Sequence, residues 1–256
     1  MPLSLPGFAL AALIGLSLGM LGGGGSILTV PVFVYVLGFG AKQAIAMSLP
    51  VVGATSLVGA ASHWRAGNLR PRTAIAFGLV TMAGSFLGAR LSARIAGEVQ
   101  LAILSLVILT AAALMYRGAS RGGYPPAEGS STASLPLLGA AALGVGMLTG
   151  LVGIGGGFLI VPALVLLARV PMKEAVGTSL LVIAMNSLSG YLGYAGRTEV
   201  AWDVVIAFGA VAIAGILVGT WLVRFVSAPA LRRGFAIFLV LIGVFVLYQN
   251  RGVFAP

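Results

Sequence analysis

The sequence predicts an all-α, polytopic membrane protein: a helix bundle of two inverted repeats, each a glycine-broken helical hairpin plus three transmembrane helices, with about eight to ten helical segments in all. Three observations predict it. Of the 256 residues, 59% are hydrophobic and only 8% are charged, whereas soluble domains carry about 25% charged residues. Apolar tracts of roughly membrane-spanning length recur along the chain. Finally, the second half of the chain repeats the first.

Ten apolar tracts define the predicted elements in chain order. They cover residues 3–21, 26–39, 41–62, 73–89, 99–116, 135–152, 158–168, 175–195, 204–223 and 234–248. The two tracts that follow glycine runs are too short to span a bilayer, since residues 158–168 would rise only about 16 Å as a helix. We therefore expect each short tract to pair with the tract that precedes it.

The repeat has one constant offset in sequence, called here the repeat offset. The matching pairs are Gly19 and Gly150, Pro31 and Pro162, Lys42 and Lys173, Ser48 and Ser179, Ser56 and Ser187, and Gly84 and Gly215. This offset indicates a tandem duplication, with the first repeat at residues 1–116 and the second at residues 135–256. Residues 117–134 are rich in Gly, Ser and Pro, which predicts a flexible linker.

The charge pattern favours opposite orientations for the two repeats. If each repeat crossed the membrane an even number of times, the Lys and Arg residues would divide almost equally between the two faces. An odd number of crossings gathers most of them on one face, which satisfies the positive-inside rule. That face, expected to be cytoplasmic, carries Arg65, Arg70, Arg72, Arg117, Arg121, Arg169, Lys173, Arg224, Arg232 and Arg233, and the other carries Lys42, Arg90, Arg94, Arg197 and Arg251.

Glycine runs interrupt apolar sequence at residues 22–25 and 153–157. Irregular backbone at membrane depth must be buried in protein or line a watery cavity, because lipid offers no hydrogen bonds. A helix that opens after such a turn has unpaired N–H groups at its positive dipole end and can bind an anion. Discontinuous helices of secondary transporters hold their substrates in this way. Close helix packing is the alternative, and it is what we expect of most other glycines.

The helix after each hairpin carries a polar stripe. Its members share one arc at 100° per residue: Ser48, Thr55, Ser56 and Gly59 in the first half, and Ser179, Asn186, Ser187 and Gly190 in the second. Either the two stripes converge on the glycine turns and line a cavity, or their hydroxyl groups make interhelical hydrogen bonds.

The motifs resemble those of the TauE/SafE family of membrane transporters, also called the sulfite exporter or toluenesulfonate uptake permease family. The second half carries "GLVGIGGGFLIVPALV" at residues 150–165 and "KEAVGTSL" at residues 173–180, and the first half carries "GMLGGGGSILTVP" and "AIAMSL". In the first copy, Ser26 replaces the third glycine and Met47 replaces the threonine. "GSFLGARL" at residues 84–91 also resembles the family pattern.

The resemblance implies transport of sulfite, sulfoacetate or another organosulfonate. We expect a carrier, exporting rather than importing, in which a small sulfur-containing anion lies between the glycine turns. Backbone and side-chain groups of Gly24, Gly25, Ser26, Ser48, Thr55, Gly155, Gly156, Gly157, Phe158, Thr178, Ser179 and Asn186 are the candidate binding residues. Rocking of the hairpins against the other helices would alternate access.

Composition excludes several classes of protein. The chain has no Cys and no P-loop, zinc-ligand cluster or cofactor fingerprint, so we expect no metal, no cofactor and no enzyme activity. The net charge of +10 suits lipid headgroups and anions, and scattered charges argue against nucleic acid. The expected partners are therefore a small anion and the bilayer, and a homo-oligomer is compatible with the sequence.

Two further functions have sequence features in their favour. A passive anion channel would share this architecture, and an intramembrane serine hydrolase would need a nucleophile such as Ser26 and a base such as His63. Next to Trp64 and Arg65, however, His63 is typical of an interfacial anchor, with pH sensing as the lesser interpretation.

Energy coupling can also be judged from the sequence. The acids Glu98, Glu128, Glu174, Glu199 and Asp203 all lie in predicted loops or at helix ends. No carboxylate then serves as a mid-membrane proton relay. We therefore expect electrogenic export or facilitated diffusion of the anion, without a proton, rather than proton symport.

Overall fold

The computed structural model describes residues 5–97, 99–100, 102–103, 106–110, 113, 135–152, 156–166, 168–196 and 198–249. Nine helices in these ranges are numbered here: α1 (Leu5–Leu21), α2 (Ser26–Pro31), α3 (Ala41–Arg65), α4 (Pro71–Ser92), α5 (Leu135–Val152), α6 (Gly157–Leu166), α7 (Met172–Tyr194), α8 (Trp202–Leu222) and α9 (Ala228–Gln249). A π-helical turn, Val32–Val36, continues α2. Helical residues also lie between positions 97 and 113, and the described residues form no strand.

The all-α membrane fold is confirmed. Among the described residues, five helices are long and apolar enough to span a bilayer: Ala41–Arg65, Pro71–Ser92, Met172–Tyr194, Trp202–Phe225 and Ala228–Phe245. The protein is therefore a multi-pass membrane protein, in agreement with its composition. The proposed linker at residues 117–134 lies outside the described residues.

Helix boundaries follow the repeat offset. The helices α2, α3 and α4 begin at Ser26, Ala41 and Pro71. Their counterparts α6, α7 and α8 begin at Gly157, Met172 and Trp202, each displaced by the same offset that relates Gly19 to Gly150. Equivalent elements of the two halves thus start at equivalent positions.

The two halves exchange partners: α1 packs on α8 of the second half, and α5 packs on α4 of the first. Glycines make both contacts close. A Cβ atom added to Gly15 would overlap the carbonyl oxygen of Ala212, and one added to Gly19 would overlap that of Ile216. Small residues four apart are a recurrent solution for close helix packing in membranes, where dispersion contacts replace the hydrophobic effect.

The same arrangement recurs between α4 and α5. At eight glycines, an added Cβ would overlap the backbone of the facing helix. They are Gly15, Gly19, Gly215 and Gly219 in the first pair, and Gly146, Gly150, Gly84 and Gly88 in the second. Each glycine of the first pair is related to its counterpart in the second by the repeat offset. The expectation that most glycines serve packing is met at these eight positions.

Helix directions follow from these contacts. Residues farther along α1 contact residues farther along α8, so these two helices are parallel. The helices α4 and α5 are parallel for the same reason. In contrast, α3 and α7 are antiparallel: Gly53 lies against Ser187, whereas His63, farther along α3, lies against Gly177, which is earlier in α7. Short loops make α4 reverse α3, and α8 reverse α7. It follows that α1 and α5 run in opposite directions.

We predict that Gly15→Ala lowers the melting temperature of the purified protein, because the added methyl group overlaps α8. Overpacking of this kind costs about 1–3 kcal/mol. The matched control is Gly209→Ala in α8, where an added Cβ meets nothing within 4 Å. Alanine favours a helix over glycine by about 1 kcal/mol, so the control should melt at the same or a higher temperature. Equal destabilisation by both substitutions would contradict close glycine packing between α1 and α8.

Candidate functional site

The first glycine turn folds the chain back on itself. After α1 ends at Leu21, Gly22 adopts φ +70°, a conformation in which glycine is favoured. Gly25 then lies back against α1, where an added Cβ would overlap the carbonyl oxygen of Ile14. The pair α1 and α2 is therefore a hairpin, as the short tract predicted.

The second turn shows the same features where it is described. Gly156 has φ +81°, and an added Cβ would overlap the side chain of Thr149 in α5. It is followed by α6, which begins at Gly157. The candidate Gly155 lies outside the described residues, as does the side chain of Phe158.

The two turns meet in the interior of the bundle. An added Cβ on Gly157 would overlap the Cα atom of Gly23, and one on Gly23 would overlap the backbone of Gly157. These glycines, together with Gly22, Gly24, Gly25 and Gly156, are all buried. Irregular backbone is thus shielded from lipid by protein, as membrane burial requires.

Side chains of α3 and α7 hydrogen-bond the carbonyl groups at the first break. A helix that stops inside a bundle leaves its last carbonyl oxygens without partners in the helix. The Ser179 hydroxyl lies within hydrogen-bonding distance of the Gly22 carbonyl and, at 2.8 Å, of the Val176 carbonyl in its own helix, so its one proton is available to either. His63 Nε2 lies 3.0 Å from the Gly19 carbonyl. Side chains from both halves therefore stabilise the break.

Ser26 closes its own turn. Its hydroxyl donates to the Gly23 carbonyl at 2.7 Å, and its backbone N–H donates to the same oxygen at 3.2 Å. In contrast, the N–H groups of Gly24 and Gly25 donate to no backbone carbonyl of the described residues. The backbone N–H groups at this turn that lack a backbone carbonyl acceptor are therefore those of the residues just before Ser26.

The second break has a donor at the position equivalent to His63. The repeat offset pairs His63 with Tyr194, whose hydroxyl donates to the Leu151 carbonyl at 3.2 Å. Gln100 Nε2 donates to the same carbonyl at 3.2 Å. Both halves thus place a polar side chain of the long helix against the end of the helix before the glycine run.

The interfacial anchor interpretation of His63 is wrong. His63 is fully buried, whereas its neighbour Trp64 is 66% exposed. Neither residue type nor local sequence revealed this, because burial depends on the packing of α3 against α1 and α7. The one available signal was the repeat offset, which pairs His63 with Tyr194.

The remaining hydroxyl candidates all form hydrogen bonds with backbone groups. The Ser48 hydroxyl donates to the Ile45 carbonyl and that of Thr55 to the Val51 carbonyl, both at 2.7 Å and both within α3. Thr178 instead accepts the backbone N–H of Arg70 at 3.0 Å, which ties the loop after α3 to α7. The Arg70 guanidinium also pairs with the Glu174 carboxylate, and both side chains are partly exposed.

Three polar side chains of the stripes are buried without a hydrogen-bond partner among the described residues. They are Ser56, Asn186 and Ser187, and both amide atoms of Asn186 are affected. Ser187 lies against Gly53, since a Cβ added to Gly53 would lie 3.0 Å from the Cβ of Ser187. Ser56 is one turn farther along α3. The unpartnered groups therefore gather where α3 and α7 cross, and α7 contacts both turns nearby through Ser179 and Ile183.

Comparison with known proteins gives the family. The profile of the family described as sulfite exporter TauE/SafE matches residues 7–246. The chain belongs to the TauE/SafE family. A probable membrane transporter protein of Xylella fastidiosa strain 9a5c is 35% identical over 243 residues, covering 93% of this chain and 92% of the relative. The probable membrane transporter protein YdhB of Bacillus subtilis is 29% identical over 220 residues, covering 84% and 85%. No solved structure matches the chain.

The family and its relatives are named as membrane transporters, which agrees with the resemblance seen in the motifs. Within the part of the chain that is described, no cluster of His, Cys, Asp or Glu could hold a metal ion. In this TauE/SafE protein, Ser26 and His63 bind separate carbonyl groups and no hydrogen bond joins them. Nothing in this geometry activates Ser26 as a nucleophile, so it does not support a serine hydrolase.

An apolar cavity of about 360 Å³ lies between α3 and α7 in this TauE/SafE protein. Its lining comes from α3 and α7: Leu49, Pro50, Gly53, Ala54, Leu57, Leu181, Ala184, Met185, Ser187, Leu188 and Tyr191. The turns instead contact Val176, Ser179 and Ile183. At 100° per residue Leu181, Met185 and Leu188 face away from the turns, whereas Ser187 lies next to the turn-facing side of α7. The cavity therefore borders the polar stripe at Ser187.

We predict that Ser179→Ala lowers the free energy of unfolding by about 1–3 kcal/mol, because the buried Gly22 carbonyl loses its donor. The control is Thr55→Val, which removes a hydroxyl that bonds within its own helix and should cost less than about 1 kcal/mol. Denaturant unfolding of the purified variants measures both. A larger loss for the control would contradict the role of Ser179 at the break.

Proposed function

We propose that the protein is a secondary transporter that exports a small sulfur-containing anion, such as sulfite, sulfoacetate or another organosulfonate. The anion binds where the two glycine turns meet the crossing of α3 and α7. The family description names sulfite export, and the chemistry of the buried groups suits a small oxyanion.

The unpartnered polar groups of Ser56, Asn186 and Ser187 carry the proposal. A buried amide or hydroxyl without a hydrogen bond costs about 1–3 kcal/mol, which disfavours such a cluster unless a polar ligand completes it. The Asn186 amide and the two hydroxyls can donate to oxygens of an anion. At the first glycine turn, the N–H groups of Gly24 and Gly25 are further donors, since they meet no backbone carbonyl of the described residues.

Alternating access follows from inverted repeats. The opposite directions of α1 and α5 support this relation, as do the hairpins that enter from opposite ends of the bundle. In such carriers one repeat rocks against the other around a fixed site. Here the moving parts are the hairpins α1–α2 and α5–α6, whose tips touch at Gly23 and Gly157.

The loop after α3 faces the cytoplasm. The helix directions bring Arg70 and Arg72 to the same end as Arg169, Lys173 and Arg224, which supports the charge-based orientation. An inside-negative potential drives each negative charge outward by about 2.3 kcal/mol per 100 mV. This potential favours export of an anion.

We predict that sulfite, sulfate, thiosulfate, sulfoacetate or an aryl sulfonate raises the melting temperature of the wild-type protein, since a ligand of the folded state stabilises it. Asn186→Leu should abolish this shift. Without anion, the same variant should melt at an equal or higher temperature, because an unpartnered buried amide is removed. The opposite signs separate binding from structure.

The control for that experiment is Ser189→Ala. The Ser189 hydroxyl donates to the Met82 carbonyl at 2.7 Å, away from the turns, so this variant should keep the anion-induced shift. An undiminished shift in Asn186→Leu would remove Asn186 from the site.

We predict that Gly156→Ala lowers the flux of labelled sulfite into proteoliposomes by about tenfold or more. A non-glycine residue at φ +81° costs about 1–3 kcal/mol, and the added methyl group overlaps Thr149. Gly144→Ala in α5, where an added Cβ meets nothing within 4 Å, is the control and should keep its flux. Flux that saturates and shows counterflow indicates a carrier, and flux that does neither indicates a passive channel.

A further inference from the structure

His63 is a titratable group in the bundle interior that the proposed mechanism does not yet use. It is fully buried in the last turn of α3. Its Nε2 atom lies 3.0 Å from the Gly19 carbonyl, which can only accept a hydrogen bond. Nε2 therefore carries the hydrogen, and Nδ1 holds the lone pair of the neutral ring. Among the described residues, Nδ1 has no hydrogen-bond partner.

This imidazole is close to the first glycine turn. An added Cβ on Gly177 would lie 2.8 Å from the Cβ of His63. Ser179, on the same helix as Gly177, contacts the first turn: an added Cβ on Gly22 would lie 2.8 Å from the Ser179 hydroxyl oxygen. The closest contact is with α1, where His63 Nε2 lies 3.0 Å from the carbonyl of Gly19, three residues before Gly22. A charge on His63 is therefore near any anion held by the turn.

The elements around His63 supply no free acid. The helices α1 and α2 carry no ionisable side chain. The other charged groups on these elements are Lys42 and Arg65 on α3, Arg70 on the following loop, Lys173 and Glu174 at the start of α7, Asp203 in the first turn of α8, and Arg224 after α8; Lys42 and Asp203 lie at the opposite end of the bundle. Glu174, the acid at this end, is already paired with Arg70.

We propose that His63 is a proton-binding site coupled to the anion site. In the empty protein the ring is neutral, because a buried charge without a partner is strongly disfavoured. A bound anion supplies the missing negative charge, and Nδ1 then takes one proton from solvent to give the imidazolium, while Nε2 keeps its bond to Gly19. By linkage, the proton favours the anion as much as the anion favours the proton.

The second half has no such group, which makes the coupling asymmetric. Tyr194 holds the equivalent position and donates to the Leu151 carbonyl. A phenol stays neutral near pH 7 and accepts no further proton. Each break is therefore capped by a side chain that hydrogen-bonds a helix carbonyl, His63 at the first and Tyr194 at the second. Only the histidine titrates in the physiological range.

This inference rests on the proposed function and revises the expectation that export proceeds without a proton. A proton that moves with each anion removes one negative charge from the net charge transported. A monovalent sulfonate would cross without net charge, whereas divalent sulfite would still move one negative charge and respond to the membrane potential.

The test is isothermal titration of the full-length purified protein with benzenesulfonate, whose single charge is fixed between pH 5.5 and 8.5. Titrations in buffers of different ionisation enthalpy give the number of protons taken up per anion. For the wild type we expect uptake that approaches one proton at pH values above the titration range of His63 in the empty protein and below its range in the complex, with affinity there falling by up to about tenfold per pH unit. Binding without proton uptake would overturn the inference and leave the proposed function standing.

Two variants separate proton binding from capping. His63→Gln keeps an N–H donor for Gly19 but cannot titrate, so it should bind the anion with no proton uptake and no pH dependence. Tyr194→Phe removes the cap of the other half and should still take up the proton. Uptake that persists in His63→Gln would overturn the assignment to His63. Because the wild-type titration needs no substitution, it tests the coupling even if a variant does not fold. If none of sulfite, sulfoacetate and benzenesulfonate binds the wild type, both this inference and the proposed function fail.

Discussion

The need to hydrogen-bond every backbone group inside a membrane governs this structure. Two helices stop in the bundle interior, and each leaves carbonyl groups that lipid cannot satisfy. At the first break, the His63 and Ser179 side chains lie within hydrogen-bonding distance of the Gly19 and Gly22 carbonyls. At the second, Tyr194 donates to the Leu151 carbonyl. Because the long helices supply these donors, the hairpins cannot move without a change at their contacts with α3 and α7. This links the geometry of the breaks to any transport cycle.

The glycines perform two different physical tasks. Those at residues 15, 19, 84 and 88, and their counterparts at the repeat offset, let parallel helices of opposite halves approach until backbone meets backbone. In lipid such contact substitutes for hydrophobic burial as a source of stability. Those at residues 22 and 156 adopt positive φ and reverse the chain. Sequence spacing separates the two groups, because packing glycines recur every four residues and turn glycines are consecutive.

The candidate site illustrates how far residue types alone can lead. Ser179 and Asn186 were both singled out by the arc they share, and both are fully buried. Their roles differ, however, since the Ser179 hydroxyl binds the turn backbone whereas the Asn186 amide has no partner among the described residues. Periodicity predicts the face on which a side chain lies. It cannot predict which carbonyl group of a distant segment lies within hydrogen-bonding distance.

The sequence by itself determined the class of the protein, the repeat offset, the approximate positions of the helices and the family, because hydropathy, the offset and the glycine motifs can all be read along the chain without knowledge of its folding. Tertiary structure alone decided that α1 packs on α8, that the tips of the hairpins touch, and that His63 is buried and not at the interface. Each of these depends on contacts between segments far apart in sequence. Helices in lipid choose such contacts by shape and hydrogen bonding rather than by hydrophobicity, and a hydropathy pattern carries no record of that choice.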